Sequence, residues 1–237
     1  MIRLFQSEWH KIKFNSFIIC SQKKIADEKF YNSFYSEFFN KFNSFDDLDE
    51  SWICYKKDIA KQILKQSDSK MNILSIGCGI GIVEKYLIEQ RQNINITAIE
   101  PSANTSQWIA DIPRISLYYG YFPDVLKSNV KFDLAYANCI DYVFEDKQYL
   151  EFLKSIVNYG IKEFLTISVS YYKPSFKLYL KESVKDILGL FGLYQRGQFW
   201  GYLRTIEEQI NIMKEAGFNN VLLVYQSDNT IIIKAQT

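Results

Sequence analysis

The sequence is poor in the residues on which many catalytic sites depend. Its 237 residues include 1 His, 4 Cys and 4 Pro, and 28 Lys+Arg nearly balance 27 Asp+Glu. A single histidine excludes a His–His catalytic pair and a metal held by several imidazoles. The net charge of +1 argues against a protein that binds nucleic acid through bulk charge. The composition therefore predicts no metal site and argues against a nucleic-acid partner.

Cysteine pairs and long apolar runs are also missing. Cys20, Cys54, Cys78 and Cys139 form no Cys-x-x-Cys pair, so neither a zinc site nor a disulfide framework is expected. The longest apolar stretch near the N-terminus, 14–20, contains polar residues and is too short for a signal-peptide core or a membrane span. We expect a cytoplasmic protein without membrane contact, either a monomer or a homodimer.

The apolar residues that are present indicate an α/β fold. They make up 48% of the chain, enough for a globular core. In residues 1–70 they recur at three- and four-residue steps, which predicts a helical N-terminal lid and the first core helix. Five short apolar runs then alternate with helix-length segments: 73–76, 94–99, 115–119, 132–137 and 164–169. This alternation is typical of parallel strands buried on both faces, and predicts a core over 71–237.

The alternation breaks after the fifth run. Residues 170–204 contain a helical segment followed by a Gly- and aromatic-rich portion, and we predict a substrate-facing insertion there. Thr205 and Glu208 form a capping box for the next helix, and Gly217 is predicted to be left-handed at its end. Two apolar runs separated by a turn signal close the sequence and predict an antiparallel hairpin. These runs are 221–225 and 230–234.

The most informative segment is a glycine-rich turn between the first predicted strand and the next helix. Gly77, Gly79 and Gly81 allow the backbone to turn tightly and to approach a ligand closely. Glu100 closes the second strand, 21 residues after Gly79, a distance at which a carboxylate accepts hydrogen bonds from ribose hydroxyls. A dinucleotide fingerprint would need glycine where Ile82 stands, and no Gly-Lys-Ser/Thr phosphate loop is present. The pattern predicts an adenosine compound other than a dinucleotide or a triphosphate.

These motifs resemble the class I S-adenosylmethionine-dependent methyltransferases. The segment 74–81 is similar to their first motif, and Glu100 matches the acidic residue of their second strand. The segment 132–140 resembles their fourth strand and cofactor loop, and 209–234 resembles their final helix and strand pair. The resemblance covers about residues 50–237. It implies a Rossmann-like, seven-stranded, mostly parallel sheet with helices on both faces, with S-adenosylmethionine as cofactor and S-adenosylhomocysteine as product.

The resemblance also implies where the cofactor would bind. The predicted cofactor-binding residues are Ser75, Gly77, Cys78, Gly79, Glu100, Pro101, Ser102, Tyr121, Phe122, Asn138, Cys139, Ile140, Tyr31 and Tyr35. Two of them depart from the family pattern, because Ser75 and Tyr121 stand where the family usually has an acidic residue. Tyr31 and Tyr35 are candidates for a lid whose rings face the sulfonium, at ~0.5–2 kcal/mol each.

Acceptor residues are expected in the loop after the fourth strand and in the insertion. The candidates are Asp141 and Tyr142 for catalysis and Tyr171, Tyr172, Trp200, Tyr202 and Arg204 for substrate binding. Holding the acceptor in line behind the methyl group supplies up to ~7–11 kcal/mol, so the reaction does not require a histidine base. We predict methyl transfer to an O, N or C atom of a small molecule, such as an aromatic biosynthetic compound.

Several alternatives remain open. Trp200 and Arg204 are equally well explained as anchors of the insertion, and the pair Lys56–Lys57 is most simply a solvated helix face. A second function is methylation of tRNA or protein, although Asn138 lacks the following Pro-Pro-Tyr/Phe of amino methyltransferases. A third is a catalytically silent subunit that binds S-adenosylmethionine and stabilises a partner, which Ser75 in place of an acid favours.

Overall fold

A computed structural model describes most of the chain. The described residues are 2–14, 24–67, 71–127, 130–168, 175–191, 193–194, 197–228 and 230–237. The strands are β1 (Ile2–Gln6), β2 (Glu8–Trp9), β3 (Ile12–Lys13), β4 (Met71–Ile76), β5 (Ile94–Glu100), β6 (Ile115–Tyr119), β7 (Leu134–Asn138), β8 (Glu163–Ser168), β9 (Gln198–Leu203), β10 (Asn220–Gln226) and β11 (Ile231–Gln236). The helices are α1 (Glu28–Lys41), α2 (Glu50–Lys65), α3 (Ile82–Gln90), α4 (Asp146–Tyr159), α5 (Phe176–Leu190) and α6 (Ile206–Glu215).

Seven strands form the main sheet, in the order β10-β11-β8-β7-β4-β5-β6. The strands from β8 to β6 are parallel, whereas β11 runs antiparallel to both β8 and β10. The predicted seven-stranded, mostly parallel sheet with a C-terminal hairpin is therefore confirmed. Because the direction of the winding reverses between β4 and β7, the carboxyl ends of these two strands border the crevice where open α/β sheets bind ligands.

Helices cover both faces of the sheet, as predicted. On one face α1, α2 and α3 bury an aromatic-rich cluster that includes Phe34, Ile63 and Leu87. On the other face α4 and α6 bury Leu153 and Met213 against the strands. The burial on both faces explains why β4, β7 and β8 read as continuous apolar runs rather than alternating ones.

Local signals set several of the helix boundaries. Asp27 and Asp49 accept backbone N–H groups at the starts of α1 and α2. The predicted capping box of α6 is confirmed, since the Thr205 hydroxyl accepts from the backbone N–H of Glu208 and the Glu208 carboxylate accepts from that of Thr205. Gly217 follows α6 with φ +108°, in the positive region predicted for it.

The prediction of a wholly helical N-terminal segment is wrong for residues 2–13. These residues form β1, β2 and β3, and β1 pairs antiparallel with β9. A short strand whose backbone partners lie far along the chain leaves no local periodic signal, whereas α1 and α2 leave a clear one and confirm the helical part. The division into 1–70 and 71–237 stays a prediction.

The insertion contains both a helix and a strand. Helix α5 confirms the predicted helical segment after the fifth core strand, and β9 was not predicted. Within the described residues, no helix has the combined length and apolar character that a membrane span requires.

Candidate functional site

The glycine turn after β4 lies at the carboxyl edge of the sheet. Gly77 and Gly79 have φ +73° and +57°, a region that glycine adopts without strain. A Cβ on Gly77 would lie 2.8 Å from Cγ2 of Ile140, so the loop after β7 packs directly against this turn. Among the described residues, a Cβ on Gly79 would meet only Oη of Tyr35, at 3.9 Å. The turn therefore brings together the predicted residues Gly77, Gly79, Ile140 and Tyr35.

Glu100 connects the turn to the end of β5. One carboxylate oxygen accepts the backbone N–H of Gly79 at 3.0 Å, and the other accepts that of Ser102 at 3.2 Å. Burial raises the pKa of Glu100 to about 7, against the lowering effect of these two N–H groups. A carboxylate oxygen has two lone pairs, so each one can still accept a hydroxyl. The residues present therefore fit a ribose that donates two hydrogen bonds.

Helix α1 lies over this carboxylate. The Ser102 hydroxyl donates to Oδ1 of Asn32 at 2.9 Å, which ties the helix to the end of β5. Burial and the charge of Glu100 raise the pKa of both Tyr31 and Tyr35, so both phenols are neutral. The structure places these two tyrosines where a lid over the turn was predicted. Their contact with a cofactor stays a prediction.

A buried carboxylate lies beside Ser75, although the strand itself carries no acid. The hydroxyls of Ser75 and Tyr136 both donate to Oε1 of Glu84, at 2.5 and 2.6 Å. Glu84 is 2% exposed, and burial raises its pKa. Its other oxygen has no hydrogen-bond partner among the described residues. The sequence contained a signal for this acid, because Glu84 interrupts the apolar first turn of α3.

The loop after β7 holds the predicted catalytic residues. Cys139 has φ +63° and donates its thiol hydrogen to Oδ1 of Asn138. Asp141 is 3% exposed; burial raises its pKa to about 6, and Ser168 and Arg204 oppose this effect. Burial places the pKa of Tyr142 well above its usual value. At neutral pH, Asp141 is therefore the ionised member of the predicted catalytic pair.

Arg204 fixes the conformation of that loop. Its side chain is 1% exposed and donates to Oδ1 of Asp146 and to the backbone carbonyls of Asp141 and Phe144. The guanidinium also lies 5.0 Å from the ring centre of Tyr149. These contacts are those of an anchor, which was one of its two predicted roles.

The other predicted substrate residues are dispersed. Trp200 is 4% exposed and packs in the aromatic cluster, 5.3 Å from the Phe14 ring and 5.8 Å from the Tyr31 ring. The Tyr202 hydroxyl donates to Glu145 near the surface. Tyr171 and Tyr172 lie outside the described residues.

The remaining predicted cofactor residues divide between the two faces of the sheet. Cys78 and Pro101 belong to the turn and to the end of β5, and burial raises the pKa of the Cys78 thiol. Tyr121 follows β6 and is 61% exposed. Phe122 packs against Tyr159 in the cluster under α4, so it is not brought to the turn. In the described part of the chain, no group of His, Cys, Asp or Glu residues could hold a metal ion.

Comparison with known proteins agrees with this geometry. A family model described as a methyltransferase domain matches residues 49–223, well over half of the chain. The chain belongs to the methyltransferase domain family. The predicted membership of a methyltransferase family is thereby confirmed. The solved structures of similar fold include complexes with SAM and with SAH. No curated protein sequence matches the chain.

Solved methyltransferases share the fold. Human N-acetylserotonin methyltransferase in complex with SAM has a TM-score of 0.57 at 15% identity, over 78% of this chain and 55% of that one. The N,N-8-amino-8-demethyl-D-riboflavin dimethyltransferase from Streptomyces davawensis has a TM-score of 0.56 at 17% identity, over 81% of this chain and 57% of that one. A putative O-methyltransferase from Nostoc punctiforme has a TM-score of 0.56 at 14% identity, over 78% of this chain and 60% of that one. The chain thus spans a little over half the length of these structures.

Proposed function

We propose that this methyltransferase moves a methyl group from S-adenosylmethionine to an O, N or C atom of a small-molecule acceptor by in-line displacement. The observation that carries the proposal is Glu100, whose two oxygens are oriented by the N–H groups of Gly79 and Ser102 beneath α1. A carboxylate held in this way is preorganised to accept two ribose hydroxyls, so little orientation entropy is lost on binding.

The two lid tyrosines would stabilise the sulfonium. Tyr31 and Tyr35 remain neutral close to Glu100, and the faces of neutral phenol rings attract a cation by ~0.5–2 kcal/mol each. Tyr142 lies beside Tyr31, so this lid is close to the loop after β7. S-adenosylmethionine supplies an electrophilic methyl carbon, and the task of this chain is to position the acceptor and to exclude water.

Asp141 is the candidate proton acceptor. With a pKa of about 6 it is mostly ionised at pH 7, whereas Tyr142 is not. One of its carboxylate oxygens has no partner among the described residues, so that oxygen is free to accept a proton from an acceptor hydroxyl. An amine acceptor that is already neutral would not need this step.

A small-molecule acceptor is supported by the charge of the chain and by its relatives. The net charge of +1 gives little attraction to nucleic acid. The structures of similar fold include a mitomycin 7-O-methyltransferase and a dimethyltransferase of an aminoriboflavin. Oxygen and nitrogen therefore both remain acceptor atoms in this proposal.

Calorimetry with S-adenosylhomocysteine tests the proposal. Well above pH 7, where Glu100 is ionised, two charge-assisted hydrogen bonds at ~1.5–3 kcal/mol apiece predict that Glu100→Ala weakens binding at least about tenfold. Glu89→Ala, which removes an exposed acid on α3, is the matched control and should bind normally. Unchanged affinity for Glu100→Ala would overturn the proposed site. Binding without turnover over a panel of phenols and amines would favour the silent-subunit alternative.

A further inference from the structure

Lys56 is a buried cation on α2. It is 8% exposed and lies on the helix face that also carries Trp52, Ile59 and Ile63, whereas the neighbouring Lys57 is exposed. The expectation of a solvated Lys56–Lys57 pair is therefore wrong for Lys56. A buried ammonium loses its hydration, which costs free energy unless an anion replaces the water. Among the described residues, no carboxylate forms an ion pair with Lys56.

The three side chains that contact the ammonium are neutral. Its Nζ lies 5.3 and 5.2 Å from the ring centres of Trp52 and Tyr55, and donates to Sγ of Cys139 at 3.7 Å. Burial raises the pKa of the Cys139 thiol, which is therefore a weak acceptor without charge. The Glu84 carboxylate forms no ion pair with Lys56 among the described residues, and it acts on the ammonium only through its charge. The positive charge is held in place but not neutralised by contact.

A second donor lies beside this cation. The Tyr55 hydroxyl is buried and makes no hydrogen bond of good geometry among the described residues; its polar neighbours are the Cys139 thiol and the Thr230 hydroxyl, which is also buried without such a bond. Burial raises the pKa of Tyr55, so its hydroxyl keeps its proton. Cys139 directly follows β7 and precedes Asp141, where the acceptor is expected. An ammonium and a hydroxyl with unused donors thus meet at the acceptor end of the cleft.

We propose that Lys56 and Tyr55 bind a carboxylate at the carboxyl end of β7, an inference that rests on the proposed function. A carboxylate has two oxygens, so it can accept from both donors and neutralise the buried charge. Two sources supply this chemistry: the amino-acid end of S-adenosylmethionine and a carboxylate on the acceptor.

Two pairs of probes separate these sources in the whole protein. S-adenosylhomocysteine carries the carboxylate, and 5′-methylthioadenosine lacks the amino-acid end. Benzoate carries a carboxylate on an aromatic ring, and benzyl alcohol is its uncharged counterpart. The binding of all four ligands is measured by calorimetry and by thermal melting. The proteins compared are the wild type, Lys56→Met and the exposed control Lys57→Met. Lys56→Arg keeps the charge and should retain binding of the carboxylate.

The two sources predict different patterns of loss. If the carboxylate belongs to the cofactor, Lys56→Met weakens the binding of S-adenosylhomocysteine at least about tenfold and leaves the affinity for methylthioadenosine unchanged. If it belongs to the acceptor, both nucleosides bind Lys56→Met normally, and the variant loses the stabilisation by benzoate that the wild type shows with S-adenosylhomocysteine present. In both cases the melting temperature of the free Lys56→Met protein rises, because an uncompensated buried charge has been removed.

Other outcomes overturn the inference. A Lys56→Met protein that binds every ligand normally shows that the lysine holds no carboxylate. A variant that melts lower and loses both nucleosides equally shows a structural role. Failure of the proposed function looks different: the wild type then binds neither nucleoside, while benzoate binding and its loss in Lys56→Met still decide whether Lys56 holds a carboxylate.

Discussion

The two halves of the candidate site are built in different ways. The nucleoside half consists of the turn around Gly79 and the end of β5, and its parts are joined by backbone N–H groups that donate to the Glu100 carboxylate. The acceptor half combines Lys56 of α2, Cys139 after β7 and Arg204 after β9, which are distant in sequence. The first half depends on a local motif, and the second depends on tertiary packing. Substitutions should therefore act on them differently.

The largest expected effect is in the acceptor half, at Arg204. Arg204→Ala leaves the buried carbonyls of Asp141 and Phe144 without their donor and should destabilise the fold by about 3–5 kcal/mol. Chemical denaturation measures this loss. Lys154→Ala, which breaks an exposed pair with Glu151, should cost under about 0.5 kcal/mol. Equal losses in the two variants would show that the acceptor loop does not depend on Arg204.

The next effect concerns the acid beneath the glycine turn. Ser75→Asp restores the residue that is usual in the family, but it places a second carboxylate against Glu84, and we expect a loss of about 2–3 kcal/mol at pH 8. Adding Glu84→Gln should recover most of that loss, because one of the two charges is removed. Thermal melts of the single and double variants measure the recovery. No recovery would mean that Glu84 does not occupy the place of the missing acid.

A pH dependence should appear in the nucleoside half. The pKa of Glu100 rises from 4.5 to about 7 on folding, so the folded state binds this proton more tightly than the unfolded chain does. The resulting stability is complete below pH 4.5 and is lost as the pH rises to about 7, by at most about 3 kcal/mol. Glu100→Gln should lack this loss in urea titrations at pH 4.5 and 7.5. If the free energies of unfolding of wild type and variant differed by the same amount at both pH values, the prediction would be contradicted.

The smallest expected effect is at the lid. Tyr35→Phe removes the hydroxyl above Gly79 and keeps the ring, so S-adenosylhomocysteine affinity should change by less than about 1 kcal/mol. Tyr35→Leu removes the ring. It should weaken the binding of S-adenosylmethionine, which carries the sulfonium, more than the binding of S-adenosylhomocysteine. Calorimetry with both ligands gives the two differences. An equal loss for both ligands would argue against a role for the ring at the sulfonium.

Sequence reasoning located the glycine turn and Glu100 because the information for both is local. An apolar strand, three spaced glycines and the start of a helix specify the turn at Gly79, and a single count along the chain reaches Glu100. The main sheet was predictable for the same reason, since each buried strand is a short apolar run. The strand β1 was not, because its partners are in β9 and no local pattern reports that pairing.

Lys56 shows where a usable signal was overlooked. Taken with Lys57 it has the appearance of a solvated pair, but Trp52, Lys56, Ile59 and Ile63 recur at the spacing of one helix face. A charged side chain on the apolar face of a helix loses its hydration when that face is buried. Tyr55 and Cys139 could not have been added to it from spacing, because only the tertiary fold brings α2 against the end of β7.

The pairing of β1 with β9 has a consequence for biosynthesis. Residues 2–6 leave the ribosome long before residues 198–203, their hydrogen-bonding partners. At typical elongation rates of 5–20 residues per second the delay is roughly 10–40 s. During that time the aromatic side chains of the first strands have no Trp200 to pack against. Until residues 198–203 have been synthesised, this aromatic surface therefore lacks its packing partner and is open to contact with other chains.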